Sequence, residues 1–416
     1  MTGQSLADWL AYIERQHPQP IALGLDRVVE VFSALKIKIS CPLLTVGGTN
    51  GKGSTCAMLE SILQAAGYRT GLYTSPHLLR YNERVRVGGR EADDAALCEA
   101  FAAVERARGA IPLTYFEFGT LAALFLFARE NLEVAILEVG LGGRLDAVNI
   151  MDADCALLTS IGVDHVEYLG DTREAIGREK AGIFREGKPA IVADVQAPES
   201  VLEEAKKKNV QLLLIGRDFG YRHQGTQWAW WGPARKRSGL AHPALRGAVQ
   251  LRNASAVLAA LDALRERLPV AMQDVRRGLA QVSLPGRFQV LPGRPQVVLD
   301  VAHNPEAAAV LAANLGESGY APETIAVVGM LKDKDIAGVL RAVAPRITRW
   351  HLATLPGPRG AGAELLEKTM LQEKIQTPTQ KHETVAAALA AARSEAGEGD
   401  KIVVFGCFLT VADAYG

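Results

Sequence analysis

The stretch Val46-Gly47-Gly48-Thr49-Asn50-Gly51-Lys52-Gly53-Ser54-Thr55 decides the fold. It follows a short apolar run at 43–46 and opens a segment, 54–66, with Met58, Leu59, Ile62, Leu63 and Ala66 on one helical face and Gly67 placed as its C-terminal cap. The order is strand, glycine loop, helix. Glycines let such a loop wrap a phosphate, the amides and the helix N-terminus face the anion, and Lys52 adds a compact cation. The loop departs from the GxxxxGK[ST] pattern in two ways. Its first glycine is one residue too close, and Gly53 stands where a hydroxyl ligand to magnesium normally follows the lysine. Another residue is therefore expected to supply that hydroxyl.

The same pattern recurs outward from this loop. The apolar run 134–139 meets Gly140 and Gly142-Gly143, and 155–159 meets Ser160-Ile161-Gly162. Further on, 297–300 meets Ala302-His303-Asn304-Pro305, 325–328 meets Gly329, and 402–405 meets Gly406. Near-continuous apolar runs of this length read as parallel strands buried on both faces. Helical periodicity lies between them at 172–184, 251–264, 305–315, 336–343 and 384–396, with Pro305 suited to a first helical turn. The expected fold class is therefore α/β with mainly parallel sheets, and a second alternating unit starts near Phe288 and runs to the end. A chain of 416 residues is long enough for two or three domains. Ser283-Leu284-Pro285-Gly286-Arg287 reads as the hinge, giving domains 1–284 and 285–416. The alternation falters over 216–248, where Trp228, Trp230, Trp231, Arg235, Lys236 and Arg237 cluster. A small β-hairpin insert with a basic turn is the favoured reading there, ahead of an aromatic platform for nucleic acid.

Composition narrows the class further. Lys+Arg and Asp+Glu are both 46, so the chain is formally neutral and has no global electrostatic reason to coat nucleic acid or an anionic membrane. The cysteines, Cys41, Cys56, Cys98, Cys155 and Cys407, are scattered and include no CxxC pair, which fits a reducing compartment better than a disulfide framework. The polar N-terminus lacks the plan of a secretory signal, and runs such as 121–128 are too short to span a bilayer. A soluble cytoplasmic protein is expected.

Several residues could carry chemistry. Glu138 ends an apolar strand beside the phosphate loop, the expected place for a magnesium ligand, with a structural salt bridge as the alternative. Asp164-His165 occupies the same topological position after the run 155–159, and ligand and structural roles weigh evenly for His165. Ser75 reads by itself as a turn residue. Lys180, flanked by Arg178, Glu179 and Arg185, reads by itself as part of a solvated helix face. Asp300 and His303 lie where a strand meets a helix, an ordinary turn signal.

Taken together these motifs carry a resemblance. Gly48-Thr49-Asn50-Gly51-Lys52-Gly53-Ser54, Thr74-Ser75-Pro76-His77-Leu78, Glu138 through Asp146, Asp164-His165, Arg178-Glu179-Lys180-Ala181-Gly182-Ile183, Pro285-Gly286-Arg287-Phe288 and Asp300 through Pro305 occur in that order. The chain resembles the folylpolyglutamate synthases of the Mur-ligase superfamily, most closely their bacterial bifunctional branch. The likeness runs from about Trp9 to Ala412.

The resemblance implies an ATP- and Mg-dependent ligase that adds L-glutamate to dihydropteroate and to the γ-carboxylate of reduced folates through an acyl phosphate. It implies an α/β fold with an N-terminal P-loop ATPase domain, built on a mainly parallel sheet, joined to a C-terminal Rossmann-like α/β domain, with the active site in the cleft between them. Thr49, Asn50, Gly51 and Lys52 would hold the ATP phosphates, with Asn253, Arg287 and Asp300 at further nucleotide positions. Ser75 and Glu138 would bind one magnesium ion, Ser75 replacing the missing loop hydroxyl. His165 would bind a second, and Lys180 would be carbamylated so that an anion faces the metals. Lys52, Lys180 and Arg287 would be the catalytic set. Ala22, Leu23, Thr114, Tyr115, Phe116, Glu117, Leu145, Asp146 and Ala147 would form the pterin site. The related bifunctional enzymes commonly carry Asp where this chain has Ala22. A monomer is expected, with small-molecule substrates and neither nucleic acid nor membrane as partner. The rival readings are another amino-acid ligase of the superfamily and a nucleotide-binding switch without ligase chemistry. Lys332-Asp333-Lys334-Asp335 lacks the asparagine of a guanine-reading NKxD, which counts against the switch.

Overall fold

The computed structural model describes residues 4–19 and 21–415. The chain divides into two compact units. One runs to Ala244 and resumes over Leu251–Val282, and the other takes Leu245–Gln250 and the chain from Ser283 onward.

The first unit is built on an eight-stranded sheet. Its strands are β1 (Leu43–Gly47), β2 (Thr70–Tyr73), β3 (Val85–Val87), β4 (Arg90–Glu91), β5 (Val134–Glu138), β6 (Cys155–Leu158), β7 (Pro189–Val192) and β8 (Gln211–Leu214). They are ordered β4-β3-β2-β5-β1-β6-β7-β8. From β2 to β8 every pairing is parallel, and β3 and β4 add an antiparallel ribbon at one edge. All residues of β1, β5 and β6 are buried, which is why they read as unbroken apolar runs rather than alternating ones. The helix Lys52–Ala65 starts two residues earlier than its apolar face suggests, because the phosphate loop itself winds into the first turn. Tyr115–Arg129 is apolar nearly all round and is correspondingly buried within the unit's core.

The region 216–248 is not a hairpin. It forms a three-stranded antiparallel sheet of β9 (Gly220–Gln224), β10 (Gln227–Trp231) and β11 (Lys236–Ala241), ordered β11-β10-β9. Trp228 and Trp230 are buried, and their indole N–H groups donate to Ala241 O (2.9 Å) and Ser255 O (3.1 Å). These two tryptophans are core residues, so they offer no stacking face to a nucleic acid.

The second unit carries a six-stranded sheet: β12 (Gln289–Leu291), β13 (Gln296–Asp300), β14 (Thr324–Val328), β15 (Arg349–Ala353), β16 (Thr379–His382) and β17 (Lys401–Phe405). The order is β12-β13-β17-β14-β15-β16, parallel except for the short β12. Strand β17, last in sequence, sits centrally between β13 and β14 and is wholly buried. Pro305 opens the helix Pro305–Glu317, capped by Asn304, whose Oδ1 accepts from Ala307 N at 2.9 Å. Among the described residues no helix is long and apolar enough to cross a membrane.

Candidate active site

The sheet order sets the site. β2, β5, β1 and β6 lie side by side and parallel, so their C-terminal ends form one edge of the sheet. Ser75 follows β2, Glu138 ends β5, the phosphate loop follows β1, and Ser160 through His165 follow β6. Ligands of open α/β sheets bind outside such carboxyl ends. Glu138 pairs in register with Val46, next to the loop, and is only 4% exposed.

The loop is shaped by its neighbour on the β6 side. Thr49 N donates to Ser160 O (2.7 Å), Asn50 N to Ser160 Oγ (3.0 Å), and Thr159 Oγ1 to Asn50 O (2.6 Å). Gly48 has φ 144°, and a Cβ there would fall 1.9 Å from Thr159 Oγ1, so any side chain would push the loop off this support. Gly51, at φ 89°, caps the helix Lys52–Ala65 with no side-chain hydrogen bond. The first-turn amides are thus presented with a backbone cap alone, the arrangement that suits a phosphate. Asn253, on the helix Val249–Ala263, reaches this point: a Cβ on Gly51 would lie 2.9 Å from Asn253 Oδ1.

Lys180 corrects the reading taken from its own helix. It is 4% exposed, not solvated. Arg144 N donates to Glu179 O (2.9 Å) and the Arg144 guanidinium pairs with Glu179 (2.8 Å), docking the glycine loop after β5 on the helix Arg173–Ala181. Lys180 is thereby turned inward, and its Nζ donates to Gly48 O at 3.0 Å. Lys52 Nζ donates to the same oxygen at 3.1 Å and to Thr49 O at 3.2 Å. Two lysines thus meet on one carbonyl of the phosphate loop. The charged neighbours of Lys180 in sequence gave the false impression of an exposed face, because burial here is set by the loop packed on the helix.

Ser75 N donates to Glu138 Oε2 at 3.3 Å, so these two residues are brought together. His165, at φ 52°, is the N-cap of the short helix Val166–Leu169 without a side-chain capping hydrogen bond, and its backbone N–H donates to Asp164 Oδ1 at 2.8 Å. Its side chain is 37% exposed. The donors offered by Ser75 and Glu138 are oxygens, the kind magnesium takes. Among the described residues no three His, Cys, Asp or Glu side chains converge as a self-contained metal cage.

A cavity of about 240 Å³ opens beside these residues. It is lined by Ala22, Leu23, Thr114, Phe116, Glu117, Leu145, Asp146 and Ala147, and also by Ser75 and His165. Tyr115, expected among them, does not line it. Thr114 caps the helix Tyr115–Arg129 through a capping box, in which Glu117 N donates to Thr114 Oγ1 (3.2 Å) and Thr114 N to Glu117 Oε2 (2.8 Å). That box fixes Phe116 at the wall. Asp146 is buried, accepts from Leu141 N (2.8 Å) and Val148 N (3.1 Å), and has its pKa pushed up to about 6 by burial.

Sequence reasoning overlooked two arginines here. Arg27 Nη2 donates to Glu117 Oε1 (2.7 Å) and to Ala22 O (2.8 Å), tying two cavity walls together. Arg84 lines the cavity itself. The available signal was position: Arg27 follows the Ala22-Leu23-Gly24 loop within one turn, and Arg84 follows the Ser75-Pro76-His77 motif by seven residues.

In the second unit, Asp300 ends β13 and accepts from Phe288 N and Ala302 N, both at 2.8 Å. Loss of solvation pushes its pKa up, against the nearby Arg287 and these two N–H donors. The Arg287 guanidinium lies 5.0 Å from the Phe408 ring centroid.

Residues 46–261 match the model of the Mur ligase middle domain, and residues 286–408 match that of the Mur ligase, glutamate ligase domain. The chain is 47% identical over 408 residues to the dihydrofolate synthase/folylpolyglutamate synthase of Escherichia coli K12, covering 98% of this chain and 94% of the relative. The chain belongs to the dihydrofolate synthase/folylpolyglutamate synthase family of Mur ligases. Solved structures of that family superpose closely. E. coli FolC in complex with DHPP and ADP is 46% identical with a TM-score of 0.95, over 99% of this chain and 97% of that one. A bifunctional folylpolyglutamate synthase/dihydrofolate synthase with Mn, AMPPNP and L-glutamate bound is 46% identical with a TM-score of 0.92, over 99% and 97%.

Proposed function

We propose that this folylpolyglutamate synthase family member is an ATP- and divalent-metal-dependent ligase that forms a carbon–nitrogen bond between L-glutamate and two acceptors, dihydropteroate and reduced folates. The observation that carries the reading is the single cavity in which Ser75 and His165 share walls with Ala22, Phe116, Glu117 and Asp146. A pterin-sized apolar pocket therefore opens onto the groups at the strand ends where phosphate and metal belong.

The substrate carboxylate is already a nucleophile and needs no activating base. One of its oxygens attacks the γ-phosphorus of ATP, the bond from that phosphorus to the β,γ-bridging oxygen breaks, and ADP leaves. The amine of glutamate then attacks the acyl carbon. The tetrahedral intermediate expels phosphate, and the amine proton passes to solvent. Catalysis is positioning and charge neutralisation. Lys52 and the amides of Thr49 through Lys52 would hold the phosphates, and Asn253 would meet the nucleotide beside Gly51. Ser75 and Glu138 would hold one magnesium ion and His165 a second. The metal supplies charge neutralisation on the phosphoryl oxygens.

Two lysines on the Gly48 carbonyl favour carbamylation of Lys180. Two ammonium groups sharing one oxygen repel each other, whereas a carbamate is an anion with oxygen ligands to offer. Carbon-13 NMR with labelled bicarbonate tests this: a carbamate resonance that disappears in Lys180→Arg supports it, and its absence from active enzyme rejects it. From the second unit, Arg287 and Asp300 are proposed as nucleotide-binding residues. The residues 1–284 are assigned as the ATP- and pterin-binding domain and 285–416 as the ligase domain. A cytoplasmic monomer is the proposed working form.

The decisive assay is coupled ADP release with dihydropteroate and with a reduced folate, each with and without L-glutamate. Glutamate-dependent release with both acceptors is expected. Release with neither, or release independent of glutamate, defeats the reading.

A further inference from the structure

The mechanism leaves one cation of the cavity without a task. Arg84 is the only Lys or Arg among the described residues that line it. The two carboxylates on the same walls are already engaged. Glu117 takes the Arg27 guanidinium and Thr114 N, and Asp146 takes the N–H groups of Leu141 and Val148. Glu83, the acid next to Arg84 in sequence, accepts from the N–H groups of Leu78, Leu79 and Arg80.

Arg84 is instead fixed by neutral groups. Its Nε donates to His77 Nδ1 at 2.8 Å. Its guanidinium carbon lies 5.4 Å from the ring centroids of both Tyr81 and Tyr115. Among the described residues the Arg84 side chain pairs with no carboxylate, which leaves Nη1 and Nη2 as a planar donor fork of the kind that binds carboxylates bidentately. Tyr115 thus serves the cavity from behind, as a support for Arg84.

A reacting carboxylate is a poor partner for that fork, because its lone pairs must reach phosphorus. Dihydropteroate carries no other carboxylate. A folate does: the α-carboxylate beside the γ-carboxyl that reacts.

We propose that Arg84, fixed by His77, Tyr81 and Tyr115, binds the α-carboxylate of the folate substrate and so serves chain extension rather than the first glutamate addition. The inference rests on the ligase reading above, and the experiment separates the two. Wild-type turnover of dihydropteroate and of a monoglutamyl folate is measured first; absence of both overturns the ligase reading itself. Then kcat/KM is compared for wild type and Arg84→Gln on three acceptors: dihydropteroate, the folate, and an analogue with 4-aminobutyrate in place of its glutamate, which keeps the reacting acid and lacks the α-carboxylate. Loss of one partner of a desolvated charge pair supports an effect on the order of 10²-fold. The folate-to-dihydropteroate selectivity of Arg84→Gln should fall by about that factor. Wild type should lose a similar factor on the analogue, and Arg84→Gln should lose little more on it, which closes a double-mutant cycle. Arg84→Lys, retaining a charge without the fork, should keep more folate activity than Arg84→Gln and serves if the glutamine variant is unstable. Equal losses on dihydropteroate and folate, additive losses in the cycle, or no loss on folate would overturn the assignment.

Discussion

Replacing Arg27 with Met removes the tie between two walls of the cavity proposed to hold the pterin. Arg27 Nη2 lies 2.7 Å from Glu117 Oε1 and 2.8 Å from Ala22 O, and Nε lies 3.4 Å from Glu117 Oε2. The Glu117 side chain is 5% exposed and that of Arg27 is 27%. Removing one partner of a fully buried pair costs roughly 3–5 kcal/mol. Partial exposure of the arginine lowers this to about 2–3 kcal/mol, because solvent screens part of the attraction. A loss of that size should lower the melting temperature of the first unit by roughly 4–12 °C. Part of the cost is the carboxylate left behind, so Arg27→Met with Glu117→Gln should recover stability: the amide oxygen can still accept from Thr114 N and no buried charge remains. The Ala22 loop stays untethered in both variants. KM for dihydropteroate should therefore rise by about tenfold or more in each, with kcat changed much less. Differential scanning fluorimetry and steady-state kinetics on the three proteins decide the matter. An Arg27→Met protein with wild-type melting and wild-type KM refutes the argument, as does a double variant that regains KM.

Other outcomes follow from the same geometry. Glu138→Gln keeps an acceptor for Ser75 N but loses the anion, so turnover should fall by at least about 10²-fold while the far-UV circular dichroism is unchanged. Gly48→Ala places a methyl 1.9 Å from Thr159 Oγ1, so ATP affinity by calorimetry should drop even though the substitution is small. Burial raises the Asp146 pKa to about 6, above its unfolded value, so this group stabilises the fold below pH 4 and that contribution is lost as pH rises through 6. The contribution is on the order of 3 kcal/mol. Urea titrations of wild type and Asp146→Asn should differ in slope against pH between 4 and 6, and parallel curves would exclude it.

The central strands were legible because they are buried on both faces. β1, β5, β6, β13, β14 and β17 each appear as an apolar run closed by a glycine or a turn. β7, β15 and β16 are not followed at once by such a closing signal, and β16, an edge strand reading Thr379-Gln380-Lys381-His382, has no apolar run at all. β8 does carry the signal, Leu212 through Ile215 closed by Gly216, and was missed although legible. The phosphate loop was legible for the same reason as its strand: its residues are local in sequence. What sequence could not give was any contact made by packing. Lys180 lies 132 residues from the Gly48 carbonyl it meets, and Arg27 lies 90 from Glu117. Both are ordinary helix-surface residues until the loops dock. The tryptophan-rich insert was read only in part. Its favoured reading, a β-hairpin with a basic turn, fell one strand short of the three-stranded sheet, in which strand alternation turns Trp228 and Trp230 inward.

The proposed chemistry turns on a substrate acid that passes through an acyl phosphate. Dihydropteroate labelled with oxygen-18 in its carboxylate tests this directly when turned over with ATP and L-glutamate and the released phosphate is weighed by mass spectrometry. One labelled oxygen per phosphate is the expected result. Unlabelled phosphate, released in step with the ligated product, would contradict it.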